Sequence, residues 1–146
     1  AILQSLLDAL SLRRIVLCLR DTHGENLAGR IGLGDAADSA CRAMRVPLKA
    51  NGQADLFTAV CLKGADLLID DAKAANVFDR LPPWYRKGLD APAFLLLPLT
   101  IGNAPFGLIY GDRAEAGGIR IGERELSLVK TLRNQAVMAF KTAGAG

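Results

Sequence analysis

A chain of 146 residues with 51% hydrophobic side chains has the length of one domain and enough apolar matter for its own core. Its 18 Lys and Arg against 15 Asp and Glu are scattered, which argues against nucleic acid as a partner, and no apolar run reaches the roughly 20 residues of a helical membrane span. Cys18, Cys41 and Cys61 are an odd number without CxxC spacing, which predicts reduced thiols in a cytoplasmic protein rather than a disulfide framework.

The opening AILQSLLDAL has neither a basic leader nor a small-residue cleavage site, so it does not read as a signal peptide. A start without Met predicts a piece of a longer protein. Ile2, Leu3, Leu6, Leu7 and Leu10 recur at helical spacing and predict a first helix over about 1–12. RRIVLCLR, the turn residues DTHGEN and LAGRIGLG predict a hairpin. DAADSACRAM follows as a helical turn or loop, and RVPLKA as a short strand with Pro47 at an edge or end. ADLFTAVCLK predicts a helix closed by Gly64, and ADLLIDD a brief buried strand. Residues 74–80 can form one or two helical turns. The paired prolines of LPPWYRKGL predict an irregular segment with no regular helix through Pro82 and Pro83.

FLLLPLTIGNAPFGLIYGDR, from Phe94 to Arg113, is apolar at nearly every strand position instead of alternating, so this central hairpin should be covered on both faces. Pro98 should face a bulge or a gap in pairing, and Gly107 a close backbone approach. Gly122 then fits an N-cap, with Glu123 and Glu125 in the first turn and Ile121 able to staple to Leu126. Val129, Leu132, Ala136 and Ala139, broadened by Leu128 and Phe140, predict one apolar face on a helix over about 122–142. TAGAG reads as a flexible end.

This order of elements resembles a GAF domain. The likeness rests on RIVLCLRDTHGENLAGRIGLG, DLLIDDA, LLPLTIGNAPFGLIYGDR with its Pro98, Leu99, Gly107 and Leu108, and the closing helix IGERELSLVKTLRNQAVMAF. It spans the whole chain, 1–146, and LPPWYRKGL with YGDR is most similar to the GAF domains joined to HDOD modules in bacterial signalling proteins. The resemblance implies an α+β fold: a central antiparallel sheet of about six strands, terminal helices on one face, and shorter helices over a pocket on the other. One departure is the turn, where Gly102 precedes Asn103 and relatives more often have Asn before Gly.

On that resemblance, Phe57, Cys61, Phe78, Trp84, Tyr85 and Phe94 would face the pocket, with simple core filling as the alternative. Leu3, Leu6, Leu10, Val129, Leu132 and Ala136 would form the interface of the terminal helices, between helices or between two copies. Asp70 and Asp71 could orient a ligand, although DDA between strand and helix also reads as a turn and cap. GLGDAA matches a dinucleotide fingerprint on paper, but Asp35 would oppose a pyrophosphate, Gly29 and Arg30 interrupt the preceding strand, and Pro47 stands in the next one. His23, the only histidine, lies in a polar turn without partners for a metal or a nucleophile. Cys18 reads as an inert buried thiol; Cys41 and Cys61 could meet oxidants, although an unperturbed structural thiol is the favoured reading of both. The expected function is a non-enzymatic sensory or regulatory domain of a bacterial signalling protein that binds a small molecule or relays a signal through its terminal helices. Its expected partners are a small-molecule ligand, a second copy and a fused signalling domain, with no cofactor or metal specified. An interaction module without ligand and a cysteine-dependent redox enzyme are the rival readings.

Overall fold

The computed structural model describes residues 2–49, 52–117 and 119–145. Ala1 of the first predicted helix, Ala50 of RVPLKA and Gly146 of TAGAG therefore lie outside the described residues. The elements run α1 (Ile2–Ala9), β1 (Arg14–Arg20), β2 (Asn26–Gly34), α2 (Ala37–Ala43), β3 (Arg45–Pro47), α3 (Leu56–Lys63), β4 (Leu67–Ile69), α4 (Ala75–Phe78), a π-helical turn (Tyr85–Leu89), β5 (Ala93–Ile101), β6 (Ala104–Arg113) and α5 (Glu123–Ala145). All strand pairings are antiparallel, in one six-stranded sheet of order β3-β2-β1-β6-β5-β4.

The β5–β6 hairpin lies inside this sheet, between β1 and β4, and its apolar composition follows from that position. On one face Phe94, Leu96, Leu108 and Tyr110 pack beneath α2, α3 and the π-helical turn; on the other Leu95, Leu97, Leu99 and Ile109 pack beneath α1 and α5. Neither face can be polar because neither meets water. Pro98 falls where the ladder to β4 has stopped at Leu96 and just before a register shift at Leu99/Thr100, so its missing N–H leaves no orphan. A Cβ on Gly107 would come within 2.9 Å of the Cys18 carbonyl oxygen, which is the close approach its place in the strand predicts. At the two-residue turn Gly102 has φ 62 while Asn103 keeps φ negative, the pattern of a type II′ hairpin turn, which is why Gly stands first here.

Several sequence expectations are corrected. The first helix ends at Ala9, not near residue 12. Ser11 adopts φ 51, and Leu12 and Ser11 donate to the carbonyls of Leu7 and Asp8 at 3.0 and 3.3 Å, a Schellman closure that carries Leu12 into the core. Gly29 and Arg30 do not interrupt β2: Leu17 pairs with Ile31 and Cys18 with Gly29, so Arg30 is the extra residue of a bulge. The β4 strand is not buried. It pairs only with β5 and forms a sheet edge, leaving Leu68 39% exposed. No regular helix runs through both prolines of LPPWYRKGL, as expected, but the residues after them are not irregular. The prolines open a short helix, where a missing N–H costs nothing, and Tyr85 N–H donates to the Pro82 carbonyl at 3.0 Å. The closing helix continues to Ala145, through most of TAGAG.

Candidate functional site

The space between the sheet and the shorter helices is filled by rings. Asp55 caps α3 by accepting from Thr58 N–H at 2.9 Å, and the helix then buries Phe57 and Cys61 completely. Phe57 stacks on Phe94 at 5.7 Å between centroids and meets Trp84 edge-on at 4.9 Å; Tyr85 lies 5.1 Å from Phe94, and Tyr110 5.9 Å from Phe94. Aromatic pairs at such distances add about 0.5–1.5 kcal/mol each beyond the area they bury. Of the six residues expected at a pocket, the fold thus brings together Phe57, Cys61, Tyr85 and Phe94, with half-buried Trp84 against them. Phe78 is elsewhere. It is 38% exposed and carries the Arg86 guanidinium 5.0 Å above its ring. A cleft of about 410 Å³ opens nearby between residues 53–55 and 79–83, and none of the six lines it.

The sequence reading missed the polar centre of this face. Arg14 and Asp112 are cross-strand partners on β1 and β6, and both are buried. The Asp112 carboxylate accepts from Arg14 Nε at 2.7 Å, from Arg13 Nε at 3.3 Å and from the Tyr110 hydroxyl, while Arg14 Nη2 donates to the Leu89 carbonyl at 2.8 Å. Tyr85 donates to the Ala91 carbonyl at 2.7 Å. Burial opposes the Arg14 charge, but Asp112 outweighs it and the Arg14 pKa rises. Burial first, then the neighbouring Tyr85 and Asp112, push the Tyr110 hydroxyl well up; burial also raises Tyr85. These hydroxyls are hydrogen-bond donors, not bases. The available signal was Tyr110 and Asp112 two apart, on one face of a strand that is otherwise apolar there.

The thiols are placed as structural groups. Cys18 is pushed far up by burial, and burial with nearby Asp55 raises Cys61 to about 12. For Cys61 this is the structural-thiol reading, not the oxidant-sensing one: α3 turns it inward, and it is fully buried. Half-buried Cys41 is also raised, by burial and Asp38. The Asp71 carboxylate accepts from Lys73 N–H at 3.0 Å and its carbonyl from Ala74 N–H at 3.2 Å, the turn chemistry of the simpler reading, while the Asp70 carbonyl accepts from the distant Gly117 N–H at 2.8 Å. His23 is exposed in the β1–β2 turn, and no group of three or more potential metal ligands occurs among the described residues. No helix among them is long and apolar enough to cross a membrane.

On the opposite face, Leu3, Leu6, Leu10, Val129 and Leu132 are buried against the sheet with Ala136 packed beside them. These side chains join the terminal helices to the sheet. The outward residue of α5 is another: Met138 is 62% exposed, whereas Phe140, 41% exposed, still stacks on the buried Phe106 at 4.2 Å between centroids.

No family model matches the sequence, and no curated protein matches it. Solved structures do. The GAF domain/HD domain protein of Geobacter sulfurreducens is similar at TM-score 0.76 with 18% identity, over 99% of this chain and 90% of that one. The GAF domain of an Acinetobacter phosphoenolpyruvate-protein phosphotransferase is similar at 0.74 with 17% identity, over 99% and 80%. Free methionine-R-sulfoxide reductase of Neisseria meningitidis, solved with its substrate, is similar at 0.68 with 16% identity, over 95% and 73%. The fold is that of GAF domains, an α+β architecture that the reductase shares.

Proposed function

We propose that this chain is a non-enzymatic regulatory domain of a cytoplasmic bacterial signalling protein, acting through its terminal helices on a fused module of the HDOD kind and on a second copy. The observation that carries this reading is the contrast between a filled interior and an open helix end. Phe57, Tyr85, Phe94 and Tyr110 occupy the space a ligand would need, whereas α5 extends past its last sheet contact, the Phe140–Phe106 stack, with Met138 facing outward. A signal can reach a neighbour only through elements whose arrangement differs between states, and α1 and α5, packed side by side on one sheet face, are placed to differ together. Small-molecule binding remains part of the proposal at Trp84, the half-buried ring of the cluster, where a ligand would displace aromatic contacts rather than enter an empty cavity.

The non-enzymatic part rests on the thiols. A reductase of this fold that works through cysteine needs a reachable thiolate; here Cys18 and Cys61 are buried, and the half-buried Cys41 is held toward its protonated form by burial and by Asp38. Sedimentation equilibrium tests the helix contact. Dimer is expected for the wild type, and monomer with an unchanged circular-dichroism spectrum for Met138→Asp. A wild-type protein that stays monomeric at every concentration defeats the proposal.

A further inference from the structure

Among the described residues three non-glycines have positive φ: Ser11 at 51, Ala36 at 52 and Asp90 at 44. Ser11 and Asp90 lie at the two ends of one hydrogen-bonded chain that crosses the molecule. At one end, Ser11 and Leu12 close α1 onto the Asp8 and Leu7 carbonyls, and the next residue, Arg13, donates both its N–H to the Asp112 carbonyl at 2.8 Å and its Nε to the carboxylate. At the other end Asp90 N–H closes the π-helical turn onto the Tyr85 carbonyl at 2.8 Å, and the preceding Leu89 carbonyl is held by Arg14. Asp112 is the link. Its Oδ1 serves Arg13, and its Oδ2 serves Arg14 and Tyr110.

We propose that Asp112 is a latch that ties the register of the π-helical turn to the end of the terminal helix α1. A left-handed non-glycine conformation persists only where its surroundings hold it, and a π-turn is one residue out of step with the commoner α-helix. Ser11 and Asp90 therefore each mark a segment that would relax to another conformation if released. A planar carboxylate shared between its two oxygens cannot swing to follow Arg13 without leaving Arg14 and Tyr110. Loosening either end transfers to the other. Because Tyr85 opens the π-turn and its ring meets Phe94 at a tilt, 5.1 Å between centroids, a change of register there reaches the aromatic cluster as well. The latch is a property of the folded chain, and it stands or falls separately from the signalling role and from dimer formation.

Amide hydrogen exchange on the folded protein tests it from both directions. Tyr110→Phe removes one hydroxyl on the aromatic side and keeps the ring; Arg13→Gln alters the half-buried donor on the α1 side. Tyr110→Phe is expected to speed exchange of the Ser11 and Leu12 amides about tenfold, and Arg13→Gln that of the Asp90 amide about tenfold. The Gly64 amide, which closes α3 on the Val60 carbonyl, is expected to stay within about twofold in both variants and serves as the reporter of overall stability. Acceleration confined to the mutated end, or shared equally by Gly64, overturns the latch. Arg13→Gln, whose side chain is part exposed, retains the fold and keeps the test open should Tyr110→Phe not fold.

Discussion

The two faces of the sheet are built from different materials. Beneath α1 and α5 the buried residues are almost entirely aliphatic, with Phe106 the one buried ring; the polar side-chain atom buried on that side is the Nε of Arg133 on α5, which has no hydrogen-bond partner among the described residues. Beneath α2, α3 and the π-helical turn lie four buried rings, two buried thiols, the Arg14–Asp112 pair and Thr58. Aliphatic packing is non-directional, so helices on that face can shift at modest cost as long as area stays buried. Rings and charged hydrogen bonds fix angles as well as distances. One face is suited to hold a geometry and the other to let helices move over it.

The largest expected break in this contrast is at Asp112. Asp112→Ala leaves the Arg14 guanidinium buried without its partner, and about 3–5 kcal/mol of stability should be lost in urea unfolding. Leu6→Met on the aliphatic face, fully buried as well, should cost under about 1.5 kcal/mol. Equal losses would erase the distinction. Alkaline pH sharpens it, because Cys18, Cys61, Tyr85 and Tyr110 all lie on the aromatic face. Burial raises Cys61 from 9.0 unfolded to about 12 folded, so the folded state holds its proton more tightly. Its contribution is complete below about pH 9 and is lost as pH rises from there toward 12, at about 1.4 kcal/mol per unit for each such thiol. The urea midpoint should therefore fall between pH 8 and pH 10.5, and less steeply in Cys61→Ala; an identical slope would refute the assignment to Cys61. The smallest effect is at the strained residues. Ser11→Gly and Asp90→Gly should each raise stability by about 0.5 kcal/mol, the relief of a left-handed backbone less the added freedom of glycine when unfolded. A loss at either would show that its side chain, not its backbone, is what matters there.

Much of the architecture was legible because it follows from local rules. Asp55 and Gly64 bound α3, Gly122 starts α5 with its N–H donating to Glu125 at 3.1 Å, and unbroken apolar strands from Phe94 onward can only sit inside a two-sided layer. The misreadings came where distant residues decide. Nothing within LLI distinguishes a buried strand from an edge, since that depends on whether a neighbour pairs beyond it. Ser11 ends α1 early because closure there delivers Leu12 to the sheet, a gain invisible in the helical periodicity of the leucines.

The same division applies to the site. The sequence by itself determined a central hairpin, apolar on both faces and so covered on both; the resemblance to GAF domains, not the residue types, put residues 57, 84, 85 and 94 on one side of an antiparallel sheet. Only the tertiary structure decided that the rings meet one another, that Phe78 stays outside with Arg86, and that Asp112 gathers Arg13, Arg14 and Tyr110 from two strands. The physical reason is range. Caps, turns and periodicity act over a few neighbouring residues, whereas a buried charge is tolerable only if a partner about a hundred residues away in the chain arrives beside it, and that is settled by strand order and register.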